Sequence, residues 1–431
     1  MDLIEVLVLL LSFIILLGIG LPIAFAIGLA ATLTILINVP FTAGVTTIAQ
    51  RMATGLDSFT LLAIPFFILS GQLMNRGGIA TRLINFAKAL IGSLPGGMAF
   101  VNIIASMLFG SISGSAVAAA SSIGGVMGPR MEKEGYDKAY SASVNITSST
   151  TGLIIPPSNI LIVYSLASGG VSIAALFIAG YLPGLLIGAL LMLVAGVIAK
   201  RKGYPAGERV QLKQVALTFI DAVPSLLLLV IVIGGIVGGL FTATEASAIA
   251  VLYTLLLAFF YREVSVRNLP SICLETIHTT AIVLMLVATS IALSWVMAFE
   301  DIPQSISQGL LALSDNPILI LLIINIILLC VGIFMDMTPA VLIFTPIFLP
   351  VVTALGVDPV HFGILMVLNL CIGLCTPPVG SVLFVGCSVA KLKIQDVVKP
   401  MLPFFFAMLV GLMLVTYIPS ITLFLPSLFG F

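Results

Sequence analysis

Long apolar stretches alternate with short polar ones along the whole chain, and most of the apolar stretches match the length of a membrane-crossing helix. Such a helix needs roughly 20 apolar residues to cross a hydrocarbon core ~30 Å thick. We therefore predict an all-α protein that crosses the membrane many times. The predicted single crossings are residues 4–17, 21–38, 57–75, 139–167, 172–199, 216–240, 244–261, 276–299, 359–390 and 400–429.

Two further apolar stretches are too long for one crossing and carry helix breakers in their middle. Residues 97–128 would form a helix ~48 Å long at about 1.5 Å per residue, and their centre reads GSISGS from Gly110 to Ser115. Residues 316–354 contain GIFMDMTPA from Gly332 to Ala340. Glycine and serine favour a break in a helix. Each stretch is therefore predicted to enter the membrane and return on the same side, as a re-entrant hairpin.

The charged residues indicate the side on which each hairpin opens. Lys and Arg concentrate on the cytoplasmic side of membrane proteins. Basic residues flank the first hairpin, which we expect to open to the cytoplasm, and acidic residues flank the second, which we expect to open to the periplasm. With this threading every one of the 17 Lys and Arg residues except Arg51 is cytoplasmic, and both termini are periplasmic. The flanking residues are Arg76, Arg82, Lys88, Arg130, Lys133 and Lys138 for the first hairpin, and Glu300, Asp301, Asp315 and Asp358 for the second.

The second half of the chain repeats the first at a constant spacing in the sequence. Each half is predicted to contain three crossings, a hairpin, a helix broken at Pro-Pro and a closing crossing. A hairpin adds no net crossing, so each half crosses an odd number of times and the second copy is inverted. Inverted repeats with interrupted helices are typical of secondary transporters, whose site lies at the repeat interface. The matched residues are Pro129 with Pro350, Gly135 with Gly356, Asp137 with Asp358, Gly152-Leu153 with Gly373-Leu374, Pro156-Pro157 with Pro377-Pro378 and, with a small slip, Asn102 with Asn325 and Gly110 with Gly332.

Composition and missing motifs exclude several classes of protein. Hydrophobic residues make up 60% of the 431 residues and charged residues 8%, whereas a soluble domain carries roughly 25% charged residues. The first apolar run follows Asp2 and Glu5 without a basic residue, so we expect a retained span and not a signal peptide. No Gly-Lys dipeptide occurs, which argues against an ATP-driven pump and a nucleotide cofactor. The two histidines, His278 and His361, lie near opposite membrane faces, which argues against a hydrolase, and no nucleic-acid partner is expected.

Irregular backbone at membrane depth is expected at four places, the two hairpin tips and the two Pro-Pro breaks. Such backbone is stable only where protein or a water-filled cavity satisfies its polar groups. Freed carbonyls and the nearby Ser and Thr hydroxyls suit Na⁺, and free amides at the new helix N-termini suit a carboxylate. Alternatively, the hydroxyls only bond to carbonyls of their own helices. The candidate substrate-binding residues are Ser148, Ser149, Thr150, Ser158, Asn159 and Ser381.

Asp336 is the most informative single residue, because it lies about 20 residues into the second hairpin and hence near its tip. An ionisable side chain at membrane depth is costly and indicates a function. Three roles are open to Asp336: a cation ligand, a partner of backbone amides at the tip, or a proton carrier.

Several runs of the sequence together resemble the large membrane subunit of tripartite ATP-independent periplasmic (TRAP) transporters. These runs are LLAIPFFILSGQLM, GSISGSAVA, GLIIPPSNILIVY, FTATEASA and MDMTPA, and the resemblance covers essentially the whole chain. It implies Na⁺-coupled uptake of a small organic carboxylate, such as a sialic acid or a C4-dicarboxylate, across the bacterial inner membrane. It also implies two separate partner chains, a small four-span membrane subunit and a periplasmic substrate-binding protein. A single-component Na⁺/carboxylate transporter of the same architecture is the alternative.

The resemblance further implies an elevator-type mechanism, in which a mobile unit moves against a scaffold. The mobile unit comprises residues 97–170 and 316–395. The scaffold comprises residues 1–96, with an arm helix, and 171–315, in which the second repeat begins at about 216; a closing span occupies 396–431. The implied cation-site residues are Gly110, Ser113, Ser115, Gly152 and Pro156 for a first Na⁺ and Gly332, Asp336, Thr338, Thr376 and Pro378 for a second.

Overall fold

The computed structural model describes residues 3–206, 211–314 and 316–431, and within these ranges the chain folds into helices joined by short turns. Arg209 and Asp315, which contributed to the predicted threading, and Asp2, which contributed to the prediction of a retained first span, lie outside the described residues. The first half contains α1 (Leu3–Gly18), α2 (Ile23–Ile35), α3 (Phe41–Leu56), α4 (Ala63–Arg76), α5 (Ile79–Ile91), α6 (Gly97–Ser113), α7 (Ala116–Lys133), α8 (Lys138–Ser149), α9 (Asn159–Ala167) and α10 (Ile173–Lys202). The second half contains α11 (Leu212–Val237), α12 (Ala243–Phe260), α13 (Leu269–Phe299), α14 (Ile302–Leu313), α15 (Pro317–Phe334), α16 (Met337–Ala354), α17 (Pro359–Leu374), α18 (Ser381–Ala390), α19 (Ile394–Tyr417) and α20 (Ser420–Leu428).

The helices of the two halves correspond at the spacing read from the sequence. α16 begins as many residues after the start of α7 as Pro350 lies after Pro129. The same spacing separates the start of α17 from that of α8, and the start of α19 from that of α10. The caps of the broken helices correspond as well. Asp137 accepts a hydrogen bond from the Tyr140 amide at the start of α8, and Asp358 accepts from the amides of Val360 and His361 at the start of α17. Both aspartates are therefore helix caps, and the predicted repeat is confirmed.

The number and length of the crossings differ in part from the prediction. By length and composition, seven helices of the described ranges could cross a membrane, or eight spans if α3 and α4, which meet at 62°, count as one. Two of the seven are α15 and α16, the arms of the second predicted hairpin. The predicted span 57–75 includes α4 but not α3, which precedes it. The corresponding span of the second half, α13, is a single unbroken helix of 31 residues. The predicted span 400–429 is wrong as a single helix, because α19 ends at Tyr417 and the short α20 begins at Ser420.

Both predicted hairpins are present as two helices joined at a sharp break. In the first, Gly114 adopts a left-handed conformation with φ 61° between α6 and α7, and the Ser115 hydroxyl accepts a hydrogen bond from the Ala118 amide. Glycine adopts this conformation without steric cost, and serine caps helices well. In the second hairpin, Met335 and Asp336 are extended between α15 and α16. The breaks lie where the sequence placed the tips.

The two broken helices form the centre of the molecule. α8 is buried from Tyr140 to Ser149, and α17 is buried from His361 to Leu374. A helix that is buried on all sides must be surrounded by other helices rather than by lipid. α6, α7 and α19 pack around α8, while α15, α16 and α10 pack around α17. The two broken helices, of which α8 is rich in hydroxyl groups, are therefore kept away from the hydrocarbon.

Charged side chains join helices at the basic end of the molecule. Arg76 of α4 pairs with Glu275 of α13. The guanidinium of Arg82 in α5 lies 3.6 Å above the ring centroid of Tyr261, and its Nε lies 3.4 Å from a carboxylate oxygen of Asp221 in α11. These contacts connect α4 and α5 of the first half to α11, α13 and Tyr261 of the second half.

Single cysteines at two helix ends should test the predicted inversion. In a background without the native cysteines, of which Cys273 and Cys330 are exposed, Glu134→Cys and Ser314→Cys should react with a membrane-impermeant maleimide from opposite faces. The reason is that basic residues flank the first hairpin and acidic residues the second. Labelling of intact cells against inverted vesicles measures this, and reaction of both cysteines from the periplasm would refute the inverted threading.

Candidate functional site

Each hairpin crosses a broken helix at a pair of glycines. A Cβ atom built on Gly110 of α6 would lie 2.8 Å from the Cα of Gly152, and one built on Gly373 of α17 would lie 2.6 Å from the Cα of Gly332 in α15. Real Cβ atoms essentially never approach other heavy atoms within 3.0 Å. The two crossings are therefore backbone-to-backbone contacts, and they occupy equivalent places in the two repeats.

The first break separates α8 from α9 and is lined by hydroxyl groups. The helix continues as a single 3₁₀ turn at Thr151–Leu153, is interrupted at Pro156-Pro157, and resumes at Asn159. A proline has no amide hydrogen to donate, so carbonyls before the break lose their helical partners. Four of the candidate substrate residues lie here, fully buried, and each donates its hydroxyl to a carbonyl of the same segment. They are Ser148 and Ser149 to Asn145, Thr150 to Thr147, and Ser158 to Leu153.

The second break separates α17 from α18 and is more open. The Thr376 hydroxyl, just beyond the end of α17, donates to the Ile372 carbonyl in the last turn of that helix at 2.7 Å. Pro377-Pro378 then interrupts the chain, and α18 begins at Ser381. The Oγ of Ser381 is buried and has no hydrogen-bond partner among the described residues. An unpaired buried hydroxyl is costly, so Ser381 is suited to a bound ligand.

The two hairpin tips carry the oxygen atoms that the sequence singled out. In the first tip, the Ser113 hydroxyl is 3.4 Å from the carbonyl oxygen of Ser115. In the second tip, Asp336 occupies the cap position of α16, but its side chain makes no capping hydrogen bond. The backbone amide of Met337 nevertheless interacts with this carboxylate, so the roles of Asp336 as a partner of tip amides and as a cation ligand both stay predictions.

A central cavity of about 450 Å³ joins both tips, both breaks and two outer spans. The tips contribute Ser113–Ala118 and Asp336–Thr338, and α4 and α13 form the facing wall. This size falls within the roughly 300–1,000 Å³ usual for ligand sites. Six of the candidate residues line the cavity together: Ser113, Ser115, Asn159, Asp336, Thr338 and Ser381.

The other ten candidates do not line this cavity. The glycines among them form the two crossings, and the hydroxyls and prolines lie in or beside the breaks. Their roles in binding a cation or a substrate stay predictions. These residues are Gly110, Ser148, Ser149, Thr150, Gly152, Pro156, Ser158, Gly332, Thr376 and Pro378.

The donor atoms around the cavity suit a monovalent hard cation. The polar side chains are mostly hydroxyls and amides, and Asp336 is the one carboxylate among the described lining residues. The described residues contain no group of three or more His, Cys, Asp or Glu side chains that could hold a metal ion. Interrupted helices bind Na⁺ through the same kind of oxygen set, so the residues present fit the predicted coupling ion.

The facing wall of the cavity contains polar residues that the sequence analysis missed. Gln72 and Asn75 project from α4, Ser121 from α7 and Thr279 from α13. The Ser122 hydroxyl donates to the Asn75 side-chain oxygen, which links α7 to α4. Gln72 makes no side-chain hydrogen bond within the described structure. A polar side chain inside a membrane span, such as the predicted span 57–75, indicates function. This rule would have identified Gln72 as a candidate from the sequence.

Comparisons with known proteins agree with this architecture. The family model "Tripartite ATP-independent periplasmic transporter, DctM component" matches residues 10–421. The chain is similar to YgiK of Salmonella typhimurium, with 58% identity over 97% of this chain and 96% of that protein. It is also similar to the C4-dicarboxylate TRAP transporter large permease protein DctM of Pseudomonas aeruginosa, with 41% identity over 94% of each chain.

A solved structure shares the fold at low sequence identity. The crystal structure of the YdaH transporter of Alcanivorax borkumensis aligns with a TM-score of 0.67 over 88% of this chain and 89% of that one, at 13% identity. Such identity supports the fold alone.

Proposed function

The chain belongs to the DctM component family of tripartite ATP-independent periplasmic transporters, and from this premise we propose that it performs Na⁺-coupled uptake of a small organic carboxylate. Family membership makes it a multi-pass inner-membrane subunit of a secondary transporter for organic acids, and not an enzyme. In the proposal, a periplasmic binding protein delivers the substrate, and a small four-span subunit accompanies the chain in the membrane. Both termini are proposed to lie in the periplasm.

The observation that carries this proposal is the meeting of both tips and both breaks at one cavity. Ser113, Ser115 and the carbonyls of the first break would hold one Na⁺. Asp336, Thr338 and the second break would hold the other. The substrate carboxylate would lie between them, near Asn159 and Ser381, where the amides at the start of α9 and α18 favour an anion.

The proposed mechanism moves this cavity across the membrane with its walls. The two hairpins and the broken helices form the mobile unit, while α1 to α4 and α11 to α13 form the scaffold. We extend the mobile unit to α10 and α19, because α10 packs against α6 and α17, and α19 packs against α8. Interfaces of this kind have discrete arrangements rather than continuous ones, so the unit would move as one body between two positions.

The coupling can be tested directly in proteoliposomes that contain the chain and its small partner. Uptake of the substrate should require an inward Na⁺ gradient and the cognate binding protein, and should be unchanged by ATP. The physical reason is the oxygen-lined cavity together with the missing nucleotide motif. Full uptake with K⁺ replacing Na⁺ on both sides would refute Na⁺ coupling. Full uptake without the binding protein would favour a single-component transporter of the same architecture.

A further inference from the structure

A second cavity, of about 220 Å³, lies between α7, α8 and α18. We call it the inner crevice. Its lining runs along α8 from Lys138, the first residue of the helix, to Asn145. At about 1.5 Å per helical residue these two positions are ~10 Å apart. The inner crevice and the central cavity share no lining residue among the described ranges, so the crevice is a separate feature of the molecule.

Asn145, at the inner end of the crevice, carries an oxygen atom without a partner. The residue is only 3% exposed. Its Nδ2 donates to the Ala120 carbonyl of α7 at 2.8 Å, which fixes the amide group. Its Oδ1 is buried and has no hydrogen-bond partner among the described residues. An unpaired buried acceptor is costly, and an amide oxygen can only accept. The inner end of the crevice is therefore suited to a ligand that is a donor or a cation.

The helix ends around the crevice favour a cation. Pro129 has no amide hydrogen, so the helical bond to the Gly125 carbonyl is missing, and Gly125 lines the crevice. α7 and α18 both end beside the crevice, at Glu132 and Ala390, whereas α8 begins there. Helix C-termini favour positive charge and N-termini favour negative charge. Two C-termini thus face one N-terminus, which Asp137 already caps.

The charged side chains of the crevice include two lysines that must be reconciled with a cation. The Nζ of Lys138 lies 4.0 Å from a carboxylate oxygen of Glu132, so these two charges offset each other. Lys391 is exposed, and water and salt screen an exposed charge within a Debye length of ~8 Å. Asn145 lies deeper than Lys138 by about that distance. The lysines therefore do not prevent a cation from binding at the inner end.

The second repeat lacks the residues that form this crevice. The equivalent positions carry larger side chains, of which Phe362 and Met366 are fully buried. The Thr345 hydroxyl, whose equivalent is Gly124, lies 3.3 Å from the Met366 sulfur. A polar crevice of this kind thus belongs to the repeat whose hairpin is predicted to open to the cytoplasm. The corresponding pairs are Gly125 with Pro346, Gly128 with Leu349, Ser141 with Phe362 and Asn145 with Met366.

Asn145 also connects the inner crevice to the first break. Its side chain lines the crevice, while its main-chain carbonyl accepts hydrogen bonds from the hydroxyls of Ser148 and Ser149 in the first break. The crevice therefore ends about one helical turn from the carbonyls that are proposed to hold the first Na⁺. Side-chain and freed carbonyl oxygens together are the ligands that Na⁺ takes in interrupted helices.

From these observations we propose that the inner crevice is a release site for the first Na⁺. On its way to the cytoplasm the cation binds to the Asn145 side-chain oxygen and the Gly125 carbonyl, and it leaves between α7, α8 and α18, apart from the substrate. This inference goes beyond the proposed function but rests on its Na⁺ coupling. It also gives the release a direction, since the second repeat carries Met366 in place of Asn145.

A cysteine at Gly128 tests the site without a substrate, using Na⁺ and K⁺ as probes. A Cβ on Gly128, which lines the crevice, meets nothing within 4 Å. In a background without the native cysteines, a small thiosulfonate reagent should modify Gly128→Cys from the cytoplasmic face of inverted vesicles. The reaction should be at least fivefold slower in NaCl than in KCl. Added Asn145→Leu should abolish this Na⁺ effect and keep the rate in KCl. Gln214→Cys, exposed on α11, should react equally in both salts.

Three results of this labelling would overturn the proposal. Equal rates for Gly128→Cys in NaCl and KCl would mean a crevice that holds water only. No reaction from the cytoplasmic face would mean a crevice that is closed to the cytoplasm. A Na⁺ effect that persists with Asn145→Leu would place the cation elsewhere. The first two results come from Gly128→Cys alone and do not depend on the folding of the Asn145 variant.

The same cysteine provides a reversible plug for transport. Modification of Gly128→Cys before reconstitution should lower Na⁺-driven uptake at least tenfold, because the first cation can no longer leave. Dithiothreitol should restore uptake, which excludes misfolding, and modified Gln214→Cys should transport normally. Full uptake by modified Gly128→Cys would overturn the release route. Uptake by the unmodified protein that K⁺ supports as well as Na⁺ would instead count against the proposed function, so the two failures are distinguishable.

Discussion

Gly373→Ala should reduce Na⁺-driven uptake at least tenfold, because the added methyl group separates the second hairpin from its broken helix. Its Cβ would lie 2.6 Å from the Cα of Gly332, which is backbone and cannot turn away as a flexible side chain can. Overpacking of this kind costs about 1–3 kcal/mol, and ~1.4 kcal/mol already corresponds to a tenfold change. The displaced hairpin would carry Asp336 and Thr338 away from the second break, so the second cation site should be lost first.

The other member of the pair provides a graded control. A Cβ on Gly332 would lie 3.1 Å from the Cα of Gly373, which the neighbours can relieve by a shift of a few tenths of an ångström. Gly332→Ala should therefore be milder than Gly373→Ala. Gly234→Ala in α11, where a Cβ meets nothing within 4 Å, should leave uptake unchanged and stabilise its helix slightly.

Uptake should be divided by the amount of folded protein, which size-exclusion chromatography measures. This ratio distinguishes a damaged cation site from a smaller amount of folded protein. The Na⁺ dependence should weaken in Gly373→Ala more than the amount of folded protein falls. If Gly373→Ala and Gly234→Ala transport equally well, the crossing does not position the tip.

The features that the sequence predicted correctly are those set by local chemistry. Both hairpin tips, both breaks and the repeat depend on glycine and proline, whose backbone preferences act within a few residues. The caps at Asp137 and Asp358 are local for the same reason. These local preferences do not depend on contacts with distant residues, so a single sequence is sufficient to identify them.

The helix α3 was missed for a different physical reason. It carries Thr, Gln and Arg among its apolar residues, and only Gly44 and Ile48 are buried among its residues. A search for long apolar runs does not detect such a helix, although its amphipathic period does. Arg51, the one basic residue outside the predicted cytoplasmic side, lies in α3 with its guanidinium 4.8 Å from the Trp295 ring centroid. A cation can be stabilised on an aromatic face near a membrane surface.

At the end of the chain, the sequence predicted one helix where the structure has two, α19 and α20. The stretch on both sides of Ile418 and Pro419 is mostly apolar and carries no charged residue, so composition gives no sign that α19 stops and α20 begins. Pro419 is the local signal, because a proline disfavours the helical conformation of the residue before it. α20 then packs against α10 and α17, contacts between distant segments that no local pattern encodes.

Which residues face the tips across the cavity could not be predicted, since that depends on which outer spans pack against the tips. Gln72 and Thr279 lie far apart in the sequence and belong to different repeats. Only the three-dimensional packing of α4 and α13 against the mobile unit brings them to one cavity. The tip residues that line the cavity, in contrast, could be singled out from the sequence, because helix breakers mark the places where the helices are interrupted.

Asp336→Asn should reduce uptake at least tenfold and weaken the apparent affinity for Na⁺, while the amount of folded protein stays similar. Asparagine keeps the size of the side chain but removes the charge that offsets the cation. Tenfold corresponds to ~1.4 kcal/mol, which is modest for a charged ligand in a site of low dielectric constant. Asp336 lines the cavity and makes no capping bond, so its replacement should leave α16 intact. Asp358→Asn is the matched comparison, because Asp358 caps α17 and does not line the cavity; its Na⁺ dependence should match that of the wild type.

The three roles open to Asp336 predict different curves of uptake against Na⁺ concentration at two pH values. A cation ligand predicts that Asp336→Asn shifts the Na⁺ curve to higher concentration at both pH values. A partner of tip amides predicts an unchanged curve, since asparagine also caps helices. A proton carrier predicts that the pH dependence disappears while the Na⁺ response persists. We expect the first role, because Asp336 lines the cavity and is the one carboxylate among its described lining residues. An unchanged Na⁺ curve in Asp336→Asn would rule out that role, and the second Na⁺ would then have to bind through Thr338 and backbone carbonyls alone.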